Sequence, residues 1–374
     1  MPGDWEKHLE RWTAVGLLDG ATVARIRAHE LRQAPARRLN WPALIALSLG
    51  ALLLGAGVLL FVSAHWDFLS PARRLALVLS LVAAFHLGGA LTTRQLPRLA
   101  SAFHAVGTFA LGAGIFLANQ TFHVVEQWPG GLMLWAAGGW IGFWLLRDWP
   151  QLAFAAVLTP TWLAGEWLLL SDHMRRSIDP VIGVGLFLTS LTYLAALLPK
   201  RSTPLRMALA AVGGITLIPA ALLLVLGATQ VGAPEEMLPV GWRIAGWAVA
   251  LAAPFLAACA LRGREAWPNF AATVWVAFLI LLAGTGVSLF VYFWCLVTAT
   301  GIAFWGVKEG RAERINLGIA GFALTVLFFY FSNIMDRLER SASLIGLGLL
   351  FLAGGWALER MRRGLIAQLR QEHR

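Results

Sequence analysis

Glu166 is the carboxylate most deeply set in the apolar stretches of this chain. It follows Pro160, which is expected to kink its helix because proline removes a backbone hydrogen bond. An ionised group in hydrocarbon is costly to bury. A carboxylate on a kinked helix therefore predicts a site for a solute or a proton. The alternative is that Glu166 reaches the nearby interface and pairs with Arg175 or Arg176.

Two histidines form a second candidate site. His86 and His104 lie at similar distances from the polar turn at residues 92–98, so they are expected at similar depth on neighbouring helices. Imidazole titrates near neutrality, and such a pair could relay a proton or share a cation. Neutral histidines bonded to nearby hydroxyls are the simpler alternative. No third ligand is in evident reach, so a metal site is not expected.

Asn119 and Gln120 add amide groups at the end of the same apolar stretch as His104. Further polar residues are predicted on that outer face, and zinc is one ion that such side chains could hold. Their spacing follows no metal-binding pattern, so solvated loop polarity is the favoured interpretation and no metal or cofactor is predicted. This outer-face cluster consists of His65, Asp67, His123, Asp172 and His173.

The elements that position these residues are predicted to be membrane-spanning helices. Hydrophobic residues make up 58% of the chain and charged residues 13%, more apolar surface than a soluble core can hide. A helix of roughly 20 residues crosses the hydrocarbon layer. The predicted fold is an all-α polytopic integral membrane bundle of about twelve spans, near residues 41–63, 75–91, 99–118, 131–146, 151–170, 181–198, 207–227, 242–261, 270–284, 287–306, 315–332 and 342–358. Residues 270–306 could instead form one long or re-entrant segment.

The distribution of basic residues predicts the orientation of these spans. If the chain crosses the membrane twelve times, both of its ends and every second gap between spans lie on the same side. That side holds 23 of the 30 Lys and Arg residues, and the other side holds seven. The side richer in Lys and Arg is expected to be cytoplasmic. Both termini should therefore be cytoplasmic. The net charge of +10 is explained by this rule and by attraction to anionic lipid headgroups, and nucleic-acid binding is not expected.

Three regions follow from this pattern: residues 1–40, 41–358 and 359–374. The first is predicted to be a cytosolic helical hairpin and linker, in which Gly16 ends one helix and Asp19 caps the next. Residues 4–34 could bind a protein partner or a second copy. The second region is the membrane bundle. The third is a basic amphipathic tail suited to anionic headgroups. Tryptophans at span ends, Trp128, Trp267 and Trp305 among them, predict an interfacial belt.

Several short motifs in the first 150 residues are informative in combination: HLERWTAVGLL at residues 8–18, ARIRAHE at 24–30, LGA at 49–51, GAGVLLFV at 55–62, WD at 66–67, GIFLANQ at 114–120, FH at 122–123 and LW at 134–135. With these motifs the first 150 residues resemble the bacterial membrane proteins that carry domain of unknown function 2157. His65 stands where the family pattern has asparagine, and Phe122 where it has tyrosine. The resemblance implies a bacterial cytoplasmic membrane protein and no established activity.

The favoured function is a transporter-like or channel-like body for a small solute. Kinked spans and buried titratable groups support it. A glycine pattern recurs at residues 50–58 and 107–115, which a duplicated helix pair of the kind found in transporters would explain, although convergence on close helix packing is the favoured explanation. One alternative is a non-transporting scaffold or sensor that recruits a partner through the hairpin. Another is an intramembrane enzyme acting on a lipid or lipid-linked substrate. An enzyme is disfavoured, because no nucleotide-binding, metalloprotease or serine-hydrolase motif occurs in the sequence.

Deleting residues 1–34 tests the scaffold alternative. A scaffold should lose a co-purifying partner on this deletion while its spans stay folded, because the recruiting element is gone and the apolar helices remain. Purification in mild detergent, with and without these residues, provides the comparison. Finding no partner for the full chain would count against a scaffold.

Overall fold

The computed structural model describes residues 9, 11–33, 70–122, 127–171, 179–198, 203–228, 239–283 and 288–331, with seven single positions between 345 and 360. The chain divides into two compact units, Met1–Ser70 and Pro71–Arg374. Every regular element in the described ranges is a helix. The predicted all-α class is confirmed for that part of the chain.

In the first unit, a helical turn at residues 11–14 ends at Gly16, whose φ of 75° favours glycine. The N–H of Leu17 donates to the carbonyl of Trp12 (2.9 Å), which satisfies a terminal helix carbonyl. Asp19 then accepts a hydrogen bond from the N–H of Thr22 (3.2 Å) ahead of helix α1, Gly20–Gln33. These ends lie where the sequence places them, and the hairpin itself stays a prediction.

The described part of the second unit contains ten α-helices, most of them apolar along their whole length. One short 3-10 turn, Gly263–Ala266, joins two of them. The helices are α2 (Pro71–Thr92), α3 (Pro97–Phe122), α4 (Trp128–Leu146), α5 (Trp149–Ser171), α6 (Pro180–Leu194), α7 (Pro204–Ala228), α8 (Val240–Arg262), α9 (Trp267–Ala283), α10 (Ser288–Lys308) and α11 (Ala312–Phe329).

Eight helical runs within the described residues are long and apolar enough to cross a membrane. Seven of them are α2, α3, α4, α5, α7, α10 and α11, and the eighth is the 42-residue run Val240–Leu281. Helix α6 has 15 residues, or about 22 Å, and falls short of the roughly 30 Å hydrocarbon layer. Predicted spans 41–63 and most of 342–358 lie outside the described residues, so the number of about twelve spans is not confirmed.

The run Val240–Leu281 is not one straight helix. Gly263 has φ 59° and ψ −125°, a conformation that ends α8 and leads through the 3-10 turn into α9. The sequence predicts separate spans at 242–261 and 270–284, and α8 and α9 occupy these positions. Within residues 270–306 the structure describes α9 up to Ala283 and α10 from Ser288, and residues 284–287 between them lie outside the described residues.

Helix α6 lies at the centre of the larger core and packs against α5, α7, α8 and α9. Ten of its 15 residues are buried, and Phe187 and Leu191 join a core that includes Leu217, Leu224 and Trp294. Glycines allow α6 and α7 to approach closely, since a Cβ on Gly183 would lie 2.6 Å from the Cα of Leu224. Small residues thus place two helix backbones in direct contact.

Large apolar side chains cover the outer surface of the second unit. Leu145, Ile215 and Leu281 are each more than three-quarters exposed in the isolated chain (78%, 76% and 77%). Apolar patches of this kind are unfavourable in water and favourable in lipid tails. The surface therefore fits a bilayer environment.

The C-terminal end of α6 is capped by arginines from other segments. The last carbonyls of a helix lack intrahelical partners and carry the negative end of the helix dipole, so they need donors when they are buried. Five successive carbonyls accept guanidinium hydrogen bonds: Leu194 and Leu197 from Arg314 (3.2 and 3.0 Å), Ala195 from Arg262 (2.7 Å), Ala196 from Arg206 (2.7 Å) and Leu198 from Arg311 (3.0 Å). We call these four residues the arginine cap.

Glu309 neutralises part of the charge of the arginine cap. Its carboxylate forms ion pairs with Arg262 (2.9 Å) and with Arg314, whose side chain is fully buried. The indole N–H of Trp305 donates to the same carboxylate (2.7 Å), and its ring lies 3.8 Å from the Arg314 guanidinium carbon. Trp305, predicted as an interfacial anchor, therefore also supports the cap.

Gly213 and Gly214 provide a test of the close α6–α7 contact. A Cβ on Gly213 would overlap the backbone of Ser190 and Leu194, whereas one on Gly214 would rest 3.7 Å from Leu317. Gly213→Ala should destabilise the protein by about 1–3 kcal/mol, because overlap with backbone forces α6 and α7 apart. The matched variant Gly214→Ala should be neutral or slightly stabilising, since alanine favours helix. Thermal unfolding in detergent measures both, and equal effects would contradict the contact.

Removing the carboxylate at the arginine cap should be strongly destabilising. Glu309→Gln leaves two buried guanidinium groups without their counter-charge, at a cost of about 3 kcal/mol. Glu313→Gln is the matched control, because Glu313 is half-exposed and its contact with Arg311 is long (4.0 Å). Chemical or thermal unfolding in detergent should separate the two variants.

The same carboxylate predicts a pH dependence. Burial alone would raise the pKa of Glu309, but hydrogen bonds from Arg262 and Trp305 and the charge of Arg314 hold this pKa below its usual value near 4.5. Its stabilisation should therefore be complete above about pH 5 and lost as pH falls through the lowered pKa. The melting temperature of Glu309→Gln, followed from pH 7 to pH 3, should fall less than that of the wild-type protein.

Candidate functional site

A cavity of about 300 Å³ lies between α5, α6 and α8. Its walls are mostly apolar, and among the described residues that line it Glu166 is the one with an ionisable side chain. Pro160 of α5 and Pro254 of α8 both line it. The remaining lining residues are Leu163, Ala164, Trp167, Leu170, Val181, Ile182, Gly185, Leu186, Thr189, Trp242, Ala245, Gly246, Val249, Ala250 and Ala253.

The two prolines explain why α5 and α8 can diverge around this space. A proline inside a helix lacks the N–H that would bond four residues back, and its ring displaces that carbonyl. In α8, the hydroxyl of Thr192 on α6 donates to the carbonyl of Pro254 (3.1 Å). A side chain of the central helix therefore contacts the α8 backbone at its internal proline.

Glu166 is half-buried and accepts a hydrogen bond from the indole N–H of Trp162 one turn earlier (2.9 Å). The carboxylate thus keeps capacity for a further donor. Arg175 and Arg176, its alternative predicted partners, lie outside the described residues. The geometry suits a ligand that carries a positive group and an apolar body.

Asp179 and Trp167 anchor the end of α6 beside this cavity. Asp179 accepts from the N–H of Val181 (2.8 Å) at the start of α6 and from the indole N–H of Trp167 (2.9 Å). The ring of Trp167 occupies the space that a Cβ on Gly246 of α8 would need. One carboxylate therefore links α5, α6 and, through the indole, α8.

The structure brings His86 and His104 into direct contact. Their Nδ1 atoms are 3.1 Å apart, a hydrogen-bond distance, and their ring centroids 5.4 Å. Each ring packs on a glycine of the opposite helix: a Cβ on Gly89 would lie 2.6 Å from His104, and one on Gly107 would lie 2.9 Å from His86. The pair is formed by two His-x-x-Gly patterns on antiparallel helices.

Other polar residues on α3 were missed by sequence analysis. Ser101 donates to Asp148, and the hydroxyl of Thr108 donates to Gln151 (2.7 Å), whose amide nitrogen is buried without a partner in the described structure. Ser101, His104 and Thr108 recur at spacings of three and four residues, which places them on one helix face. That periodicity within an apolar span was the available signal.

The five predicted intramembrane residues do not form one site. Gln151, bonded to Thr108 near the histidine pair, begins α5, and Glu166 lies 15 residues further along that helix, or roughly 22 Å. Asn119 lies on α3 about 22 Å beyond His104. The histidine pair and the Glu166 cavity are therefore at opposite ends of the bundle.

Several of the predicted site residues lie outside the part of the chain that the structure describes. The side chain of Gln120 lies outside the described residues, as do the five residues of the outer-face cluster, His65, Asp67, His123, Asp172 and His173. Within the described ranges, no group of three or more His, Cys, Asp or Glu is placed to hold a metal ion.

Residues 10–152 match the model of a family described as predicted membrane proteins, DUF2157. The predicted resemblance over the first 150 residues is confirmed. The matched part includes His86, His104, Thr108 and Gln151 and ends before Glu166. No curated protein and no solved structure matches the chain. The family description supports a membrane protein and names no activity.

Proposed function

We propose that the protein binds a small solute in the α5–α6–α8 cavity and moves it across a bacterial cytoplasmic membrane, as a transporter or channel. Glu166 carries this proposal, because it is the one carboxylate among the described residues that line a mostly apolar cavity of about 300 Å³. Polar groups at membrane depth are expensive to retain unless they bind something. The apolar helices and the family match support a multi-pass membrane protein.

The lining favours an organic monocation as the solute. The carboxylate attracts positive charge, and the apolar walls and the indole of Trp167 favour a hydrophobic body and cation–π contact. Pro160 and Pro254 weaken the backbone ladders of the two helices that enclose the solute. These kinks are suitable places for the cavity to open.

The arginine cap supports the proposed orientation. Three basic gaps between spans, which hold Arg206, Arg262 and Arg311, meet at the C-terminal end of α6. Basic segments favour the cytoplasmic side. In this orientation the cavity beside Asp179 belongs to the outer half of the bundle, and both termini are cytoplasmic.

Binding of tetraethylammonium tests the cavity. This compact monocation should bind the wild-type protein in nanodiscs, and Glu166→Gln should weaken binding at least tenfold, since the counter-charge is removed while the shape is kept. Glu265→Gln is the control, because Glu265 is exposed in the 3-10 turn and does not line the cavity. Isothermal titration gives the affinities. Equal affinity of wild type and Glu166→Gln, or no binding by wild type, contradicts the assigned solute class.

Flux measurements test transport separately. In reconstituted vesicles, Glu166→Gln should lower the entry of radiolabelled tetraethylammonium several-fold and reduce its response to an imposed pH gradient, whereas Glu265→Gln should behave as wild type. Binding without any flux through the wild-type protein would overturn transport and leave a binding protein.

A further inference from the structure

The geometry of the histidine pair restricts which ring nitrogens can carry protons. A hydrogen bond between two Nδ1 atoms needs one N–H and one lone pair. In the neutral pair, one ring therefore carries its proton on Nδ1 and the other on Nε2. The first ring keeps an Nε2 lone pair that can accept one more proton.

One added proton preserves the hydrogen bond between the two Nδ1 atoms, whereas a second added proton breaks it. The first makes one ring an imidazolium whose Nδ1–H still donates to the neutral partner, a charge-assisted bond stronger than the neutral one. The second would protonate the accepting Nδ1, remove the hydrogen bond and place two cations 3.1 Å apart. Like charges at this distance oppose double protonation.

We propose that His86 and His104 bind a single added proton inside the membrane: it is taken up at the free Nε2 of one ring and makes the hydrogen bond between the two Nδ1 atoms charge-assisted. The pair lies roughly 10 Å along the helices from the turn that joins α2 and α3. This inference does not depend on the proposed solute cavity at the other end of the bundle.

The surroundings favour a proton over a metal ion. Two histidine nitrogens on opposite sides of a metal would be about 4 Å apart, since each bond is about 2.0 Å long, and the observed separation is 3.1 Å. A tetrahedral ion would need further ligands, and the described residues supply no cluster of three. The two Nδ1 atoms can therefore share a hydrogen atom at their observed separation, whereas a metal ion between them would require the rings to move apart.

Charged groups around the pair can hold the added positive charge. Asp148 accepts a hydrogen bond from Ser101, which lies one turn before His104 on α3, so a negative charge is held beside the pair. The turn between α2 and α3 carries Arg94 and Arg98, whose charges act in the opposite sense. Neither histidine Nε2 has a hydrogen-bond partner among the described residues, so no described donor occupies the lone pair that the added proton would take.

Nuclear magnetic resonance on protein with ¹⁵N-labelled histidine in nanodiscs provides the test. The expected result is a scalar coupling between two Nδ1 nuclei across the hydrogen bond, absent in His86→Gln and in His104→Gln. Between pH 8 and pH 5 the pair should gain one proton with the coupling retained. Failure to detect the coupling in wild type, or the gain of no proton or of two over this range, would overturn the proposal.

Two adjacent glycines supply matched variants that keep both histidines. Gly89→Ala should break the coupling, because its Cβ would displace the His104 ring, whereas Gly88→Ala places its Cβ 3.6 Å from Phe103 and should retain it. Thermal unfolding checks that both variants are folded. Retention of the coupling and of one-proton uptake in folded Gly89→Ala would contradict the assigned geometry. Tetraethylammonium binding should be unchanged in folded His104→Gln, which separates this site from the solute cavity.

Discussion

The backbone carbonyls at the C-terminal end of α6 impose a requirement that several other segments meet. Helix α6 ends at Leu194 after 15 residues, inside a bundle whose other helices are longer. Buried carbonyls need donors, and apolar neighbours cannot provide them. The arginine cap draws donors from the starts of α7 and α11, the end of α8 and the α10–α11 turn. Glu309 then offsets part of the positive charge of these arginines. The end of α6 is thus joined to α7, α8, α11 and the α10–α11 turn.

The two ends of α6 are complementary to its dipole, and this gives the bundle two different chemical ends. Asp179 caps the N-terminus and bonds Trp167, while guanidinium groups meet the C-terminus. The charged cap lies at one end, and the Glu166 cavity lies toward the other, where Pro160 of α5 and Pro254 of α8 are among its lining residues. The same short helix therefore supplies the anchor of the fold and one wall of the cavity.

The α2–α3 pair uses a different device. Its two imidazoles are joined by one hydrogen bond between their Nδ1 atoms, and each ring packs on a glycine of the other helix, His86 on Gly107 and His104 on Gly89. Asp148 and Gln151 extend polar contacts from α3 to the start of α5. This part of the chain lies within the family match, and the Glu166 cavity does not. The two sites thus lie toward different ends of the second unit, and the histidine pair alone lies within the matched residues.

The sequence by itself determined the membrane class, the positions of most helices and the local ends at Gly16 and Asp19, because apolar length and capping chemistry are properties of neighbouring residues. It also placed His86 and His104 at similar depth, since both are measured from the same turn. It did not show that Glu166 shares a cavity with Pro254, or that Arg206, Arg262, Arg311 and Arg314 meet one helix end. In the sequence, an arginine in a gap between spans looks the same whether its side chain faces water or bonds buried carbonyls. Only the tertiary structure shows that these arginines bond buried carbonyls, because the carbonyls lie up to 120 residues away in the chain.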